Sequence, residues 1–247
     1  MDYFNRNQPR DLGSKLKTVF TFSHISDKTQ QHLTKVYTLL LVCSFVCAFG
    51  MWTNATYIVS GFFTTLLSII LSVYLIYKVN DRSLSEDSRM LHLAGFAFQM
   101  GFVVGPAINY LVDVKPDLVM QAVAYTGTAF TSFSLISLLS KRRSMLFVGG
   151  IIVCLIQGLF FYRLFGWLFG YTFYNLTYLM FGLLTACLYI IYDTQFIIEL
   201  SEHGDKDVIS HTLLLFVDLF DLFIRILKIL IELSKKEEEN KKKKDKK

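Results

Sequence analysis

Apolar residues fill the middle of the chain in long runs separated by short polar breaks. About twenty helical residues cross a hydrocarbon core of roughly 30 Å, and the runs have that length. The pattern predicts spans near 36–52, 57–77, 91–112, 118–139, 145–162 and 171–192, with a seventh candidate at 208–231. Residues 1–35 read as a polar, cytosolic N-terminal segment. Residues 36–233 read as one polytopic helical membrane domain, and 234–247 as a lysine-rich, disordered, cytosolic tail. The fold class is all-α: a bundle of six transmembrane helices plus a seventh, charged hydrophobic helix. No apolar run falls within residues 1–35, so a cleavable signal peptide is not expected and the first span acts as its own signal.

The seventh candidate differs from the others. Seventeen of its twenty-four residues are strongly apolar, each worth about 0.3–0.6 kcal/mol of insertion. Asp218, Asp221, Arg225 and Lys228 oppose this with up to roughly 10–14 kcal/mol. The segment does not insert comfortably alone. Its polar residues His211, Asp218, Asp221, Arg225, Lys228 and Glu232 follow helical spacing and draw one stripe down one face. A helix lying on the membrane would turn that stripe to water. A bundle-lining helix would turn it inward, which suits the solid Leu, Ile and Phe on both flanks.

Charge raises a conflict about sides. The N-terminal segment carries six basic residues (Arg6, Arg10, Lys15, Lys17, Lys28, Lys35), and the second and fourth loops carry three each (Lys78, Arg82, Arg89; Lys141, Arg142, Arg143). The alternate loops contribute only Lys115 and Arg163. This bias puts the N-terminus and even-numbered loops in the cytosol. The tail holds eight lysines and favours the cytosol too. Seven crossings would put it on the opposite side, whereas six crossings with a re-entrant or surface-lying last helix would keep it inside.

The composition, 53% hydrophobic and only 18% charged over 247 residues, excludes an ordinary soluble domain, where charged residues run at about 25%. The four cysteines, Cys43, Cys47, Cys154 and Cys187, all fall inside spans and read as buried small residues. They make no Cys-x-x-Cys, so neither a disulfide framework nor a zinc site is expected. Gly101 and Gly105, followed by Pro106, have the spacing of a close helix contact, as do Gly166 and Gly170. The sequons at Asn54 and Asn175 lie in or beside spans, where glycosylation is not expected.

Asp193 and Asp218 are the residues that demand an explanation, since a charge at the bilayer centre costs on the order of 2.5–3.5 kcal/mol. Such groups usually face a partner or an ion path. Two membrane carboxylates also suit an intramembrane aspartyl protease, but that chemistry comes with Gly-x-Gly-Asp, and Phe216-Val217 precedes Asp218 here. No Gly-x-Ser-x-Gly or His-Glu-x-x-His occurs either. An enzyme, a cofactor, a resident metal and a nucleic-acid partner are not expected.

Several stretches carry a resemblance across nearly the whole chain. They are Phe22-Ser23-His24-Ile25 with Thr29-Gln30-Gln31-His32-Leu33, Leu93-Ala94-Gly95-Phe96-Ala97-Phe98 through Gly105-Pro106-Ala107, and Arg142-Arg143-Ser144 with Gly149-Gly150-Ile151. Most distinctive are Asp193-Thr194-Gln195, Ile197-Ile198-Glu199 and Glu202-His203-Gly204-Asp205. In these the chain resembles the transmembrane Bax-inhibitor-motif family. The resemblance implies a multi-pass protein of the endoplasmic reticulum, a seven-helix fold, a pH-sensitive calcium leak and suppression of cell death. It implies that Asp193 and Asp218 form the membrane-embedded pair that senses pH. The implied partners are calcium as the transported ion, the lipid bilayer and other membrane proteins of cell-death regulation. Some bacterial relatives latch an aspartate with an arginine of the second helix. Span 57–77 has no basic residue, which leaves Arg225 or Lys228 as substitutes.

On this reading the two carboxyls meet near the cytosolic side, titrate in coupled steps and tie the last helix to the sixth. Asp221 is either an accessory acid or the i,i+4 partner of Arg225, and His211 and Arg225 are accessory positions. A non-conducting scaffold that binds other membrane proteins is the alternative function.

Overall fold

The computed structural model describes residues 25–57, 62–141, 143–170 and 176–244. Arg6, Arg10, Lys15, Lys17, Arg142, Asn175 and the stretch Phe22-Ser23-His24 lie outside the described residues. Seven helices form among those described: α1 Asp27–Tyr57, α2 Phe62–Asn80, α3 Glu86–Val114, α4 Pro116–Leu139, α5 Val148–Leu168, α6 Leu176–Glu202 and α7 Val208–Lys244.

Local chemistry sets the helix ends that matter for the site. Ser85 caps α3 by accepting from the Ser88 amide, and Glu86 and Asp87 place negative charge at its positive end. Pro116 opens α4 at a position where its missing N–H costs nothing. Gly204 ends α6 with φ +97°, a left-handed conformation that glycine adopts without a Cβ penalty. The amides of Gly204 and Asp205 bond back to Ser201 and Leu200 and close the helix. Only three residues then precede α7. Its first turn is capped by Asp207, which accepts from the Ser210 amide at 3.2 Å and hydroxyl at 2.9 Å.

Among the described residues, five helices are long and apolar enough to cross a membrane: α1, α3, α4, α5 and α6. Their outer faces carry large apolar side chains in the open, with Phe45 75% and Trp167 79% exposed. A soluble protein would hide such residues, and a bilayer solvates them. Cys154 shares that outer face, correcting its expected burial, while Cys43, Cys47 and Cys187 are buried.

Long-range bonds sort the helix ends into two groups. At one end Ser26 donates from its amide and hydroxyl to Glu202, Arg82 pairs with Asp205, and Arg143 pairs with Glu199. This end gathers the start of α1 with the α2–α3, α4–α5 and α6–α7 turns. At the other end Lys115, between α3 and α4, bonds Ser234 and Glu238 of α7. The last helix therefore runs the full length of the bundle.

That finding decides against the re-entrant and surface-lying forms of the last helix. Val208–Lys244 is one unbroken helix, roughly 55 Å long at 1.5 Å per residue. It packs against α1, α2, α3, α4 and α6, with Leu215, Phe216 and Leu222 almost fully buried. Neighbouring helices supply the apolar contacts that offset its charges. The tail expected to be disordered continues this helix through Lys244, because Lys and Glu are good helix formers and lysines suit a helix C-terminus. It emerges at the end opposite the start of α1, so Lys28 and Lys35 of α1 lie at one end of the fold and Lys241 to Lys244 of α7 at the other. The first helix likewise starts at Asp27, inside the expected 1–35 segment. The sixth continues past 192 to Glu202 and encloses Asp193.

The contact between α1 and α3 depends on two glycines. A Cβ on Gly101 would overlap the Cys47 carbonyl oxygen, and one on Gly50 would overlap that of Phe98. Gly101→Val is expected to force the helices apart and cost about 1–3 kcal/mol. Thermal unfolding in detergent measures this, with Gly127→Ala, which has open space around it, expected not to lower the midpoint.

Candidate functional site

Antiparallel packing brings Asp193 and Asp218 together. Asp193 lies nine residues before the end of α6 and Asp218 ten residues into α7, so both sit at a depth of about 14 Å from the connecting turn. Their carboxyls face each other across the α6–α7 interface. Asp218 is 7% exposed, and its buried Oδ2 has no hydrogen-bond donor. Two carboxylates have no proton to place between them, so a favourable contact here requires one acid proton.

The neighbouring residues fix α6 around this pair. Successive helical residues point about 100° apart, and Asp193-Thr194-Gln195 uses that to address three neighbours. Asp193 faces α7. Thr194 lies beside Tyr37 of α1, together with Ser134 of α4, although these three buried hydroxyls make no well-formed hydrogen bond. Gln195 donates to the Ser137 carbonyl of α4 at 2.6 Å, and Ser137 donates to the Ile191 carbonyl at 2.7 Å. This reciprocal clamp holds Asp193 in register.

The remaining predicted residues separate. Asp221 accepts from Arg225 Nε at 2.6 Å; the i,i+4 ion pair is what the structure contains. Arg225 also fills the space beside Gly182, where a Cβ would strike its guanidinium. It is thus committed to Asp221 and the α6 backbone rather than latching Asp193 or Asp218. Lys228 is exposed. Tyr189, one turn before Asp193, lies near Asp193, Asp218, Asp221 and Arg225. His211 lies two turns from Asp218 and does not join the pair. Its Nδ1 shares a 2.8 Å hydrogen bond with Nε2 of His32, and both rings are buried.

Two residues that sequence reasoning missed form the buried ion pair at the start of α7. Arg89, 6% exposed, donates to Asp207 at 2.5 Å, to Ser210 Oγ at 3.0 Å and through Nε to the Val79 carbonyl at 2.7 Å. Burial works against the ionised Asp207, but the bonds from Arg89 and Ser210 outweigh it and hold the carboxyl below its usual range. Arg82 does the same for Asp205 through a 2.6 Å bond. In the sequence Arg89 counted only as loop charge. The available signal was its place one turn after Ser85, inside a capped helix. Among the described residues no group of three or more His, Cys, Asp or Glu side chains converges as a metal site.

Comparison with known proteins covers the whole of this arrangement. A family model described as inhibitor of apoptosis-promoting Bax1 matches residues 29–235, which include both aspartates. The chain is 38% identical over 223 residues to Bax inhibitor 1 of Homo sapiens, covering 90% of this chain and 94% of that protein. It is 33% identical over 237 residues to Bax inhibitor 1 of Arabidopsis thaliana, covering 94% of each. With Bax inhibitor 1 of Drosophila melanogaster the identity is 30% over 204 residues, covering 82% of this chain and 83% of that protein.

Proposed function

The chain belongs to the Bax inhibitor 1 family, and from that premise we propose that it is a non-enzymatic, pH-gated calcium leak of the endoplasmic-reticulum membrane that restrains cell death. The observation that carries the proposal is the placing of Asp193 and Asp218 as neighbours across the α6–α7 interface, where Oδ2 of Asp218 is buried without a donor. A carboxyl pair this close holds one proton and ties α6 to α7. Losing that proton leaves two like charges in contact, which repel. The repulsion acts on the central helix of the bundle, so a local charge change biases a whole-helix displacement. Leu215, Phe216 and Leu222 fill the centre with the helix in place, so conduction requires α7 to shift. Carboxylate oxygens freed by that shift are suitable ligands for calcium, a hard cation.

The end of the bundle where α1 begins faces the cytosol on this proposal, because Lys28, Lys35, Lys78, Arg82, Arg89, Lys141 and Arg143 all stand at that end. The pair then senses cytosolic pH. The test is calcium flux from liposomes carrying purified protein, measured from acidic to alkaline pH for the wild type, Asp193→Asn and Asp218→Asn. Both variants lose the pH response if the pair is the sensor. An unchanged profile in both rejects it.

One observation favours a second reading, a non-conducting scaffold for other cell-death membrane proteins. The α7 extension from Lys235 to Lys244 is an exposed helix, tied to the rest of the bundle through Glu238 and Lys115. Removing residues 235–247 abolishes protection under that reading and leaves flux intact under the first.

A further inference from the structure

Three lysines with no role in the aspartate pair converge where α1 begins and the chain turns from α6 into α7. Lys28 and Lys35 lie two turns apart on α1 and Lys206 on the turn, and all three line one pocket of about 180 Å³ beside His32. All three are exposed, and among the described residues none has an ion-pair partner. The arginines nearby are already committed, Arg82 to Asp205 and Arg89 to Asp207. Glu86 lines the neighbouring groove outside those pairs, and Asp27 and Glu202 also stand at the start of α1.

A larger groove of about 950 Å³ shares Lys35, Lys206 and Val208 with this pocket and runs along Leu39, Val42 and Met90. Val42 lies seven residues below Lys35, about 10 Å down the helix. Val42 and Met90 are 51% and 44% exposed, on the apolar outer face that a bilayer covers. The groove is therefore cationic at its rim and apolar along its wall. A soluble anion would use the rim alone, whereas a lipid with a phosphate headgroup would use both.

We infer that this groove binds an anionic phospholipid, with the phosphate held by Lys28, Lys35 and Lys206 and an acyl chain lying along Leu39, Val42 and Met90. Bound there, the phosphate bridges α1 to the turn that leads into α7. The inference does not depend on calcium conduction, and its test reads binding alone.

The full-length protein in neutral detergent is titrated calorimetrically with dioctanoyl phosphatidic acid, dioctanoyl phosphatidylcholine and inorganic phosphate. Saturable binding of the phosphatidic acid is expected, with at least about tenfold weaker binding of the other two. The triple variant Lys28→Gln, Lys35→Gln, Lys206→Gln should bind at least about tenfold more weakly than wild type, since each basic group near a membrane surface adds to anionic-lipid affinity. Lys35→Glu alone should also weaken binding at an unchanged thermal midpoint, which separates the site from misfolding. Equal affinity in the triple variant, or equal affinity for inorganic phosphate, overturns the inference. So does loss of binding when Lys241 to Lys244 are neutralised instead.

Discussion

Replacing Arg89 with alanine is expected to remove about 3–5 kcal/mol of stability, the typical cost of leaving a buried charge without its partner. Against a total of about 5–15 kcal/mol for a folded domain, few other single changes should do as much damage. Arg89 reaches Asp207, Ser210 and the Val79 carbonyl together, so its loss unties α2, α3 and the start of α7 at once. Lysine has no planar fork and should recover only part of the loss. The same pair makes a pH prediction. Asp207 is held below its unfolded value, so its contribution is complete above the usual carboxylate range near 3.9. It is lost as pH falls through the lower, folded value. Thermal midpoints in detergent should drop on the acid side for the wild type, and Asp207→Asn should remove that part of the acid dependence at the price of a lower midpoint throughout.

Asp218→Asn is expected to hold calcium flux at its acid-limit value at every pH. The asparagine amide donates to Asp193 as the protonated acid would, so the tie between α6 and α7 persists when the wild-type pair has lost its proton. Asp193→Asn should behave alike, because either residue supplies the donor. A tenfold difference in flux between the acid and alkaline limits corresponds to about 1.4 kcal/mol between closed and open populations, well within reach of two like charges forced into contact. Asp218→Leu, which keeps the bulk and removes the donor, should lose the tie and conduct at every pH. Combining Asp193→Asn with Asp218→Asn should add little to either alone, as expected for residues that act as one unit. The readout is calcium release from liposomes at matched protein loading.

Much of the fold was legible in the sequence because a bilayer imposes a simple rule on apolar runs. Five spans, a shorter apolar helix at α2 and a charged last helix follow from length and hydropathy. The boundaries of α1, α6 and α7 did not, since charged or polar residues end a hydropathy run without ending a helix. Asp193 is the clearest example: its charge closes the apolar run at Tyr192, while Thr194 and Gln195 continue the helix through contacts with α1 and α4. The course of the last helix was hard to read for a related reason. Charge counting treats each helix alone, whereas α7 is surrounded by five others that supply apolar cover. Within the site, the aspartates were legible from their cost in a membrane. Arg89, Asp207 and the pairing of His32 with His211 were not, because each depends on a long-range contact that spacing does not encode.

The central claim is that Asp193 and Asp218 hold one proton between them. Infrared difference spectroscopy of the reconstituted protein tests it most directly, because a protonated carboxyl has a C=O band separate from that of carboxylates. The account predicts one such band that titrates with the calcium flux in the wild type and is altered in both Asp193→Asn and Asp218→Asn. A band that both variants leave unchanged, or no titrating carboxyl band in the wild type, would contradict it.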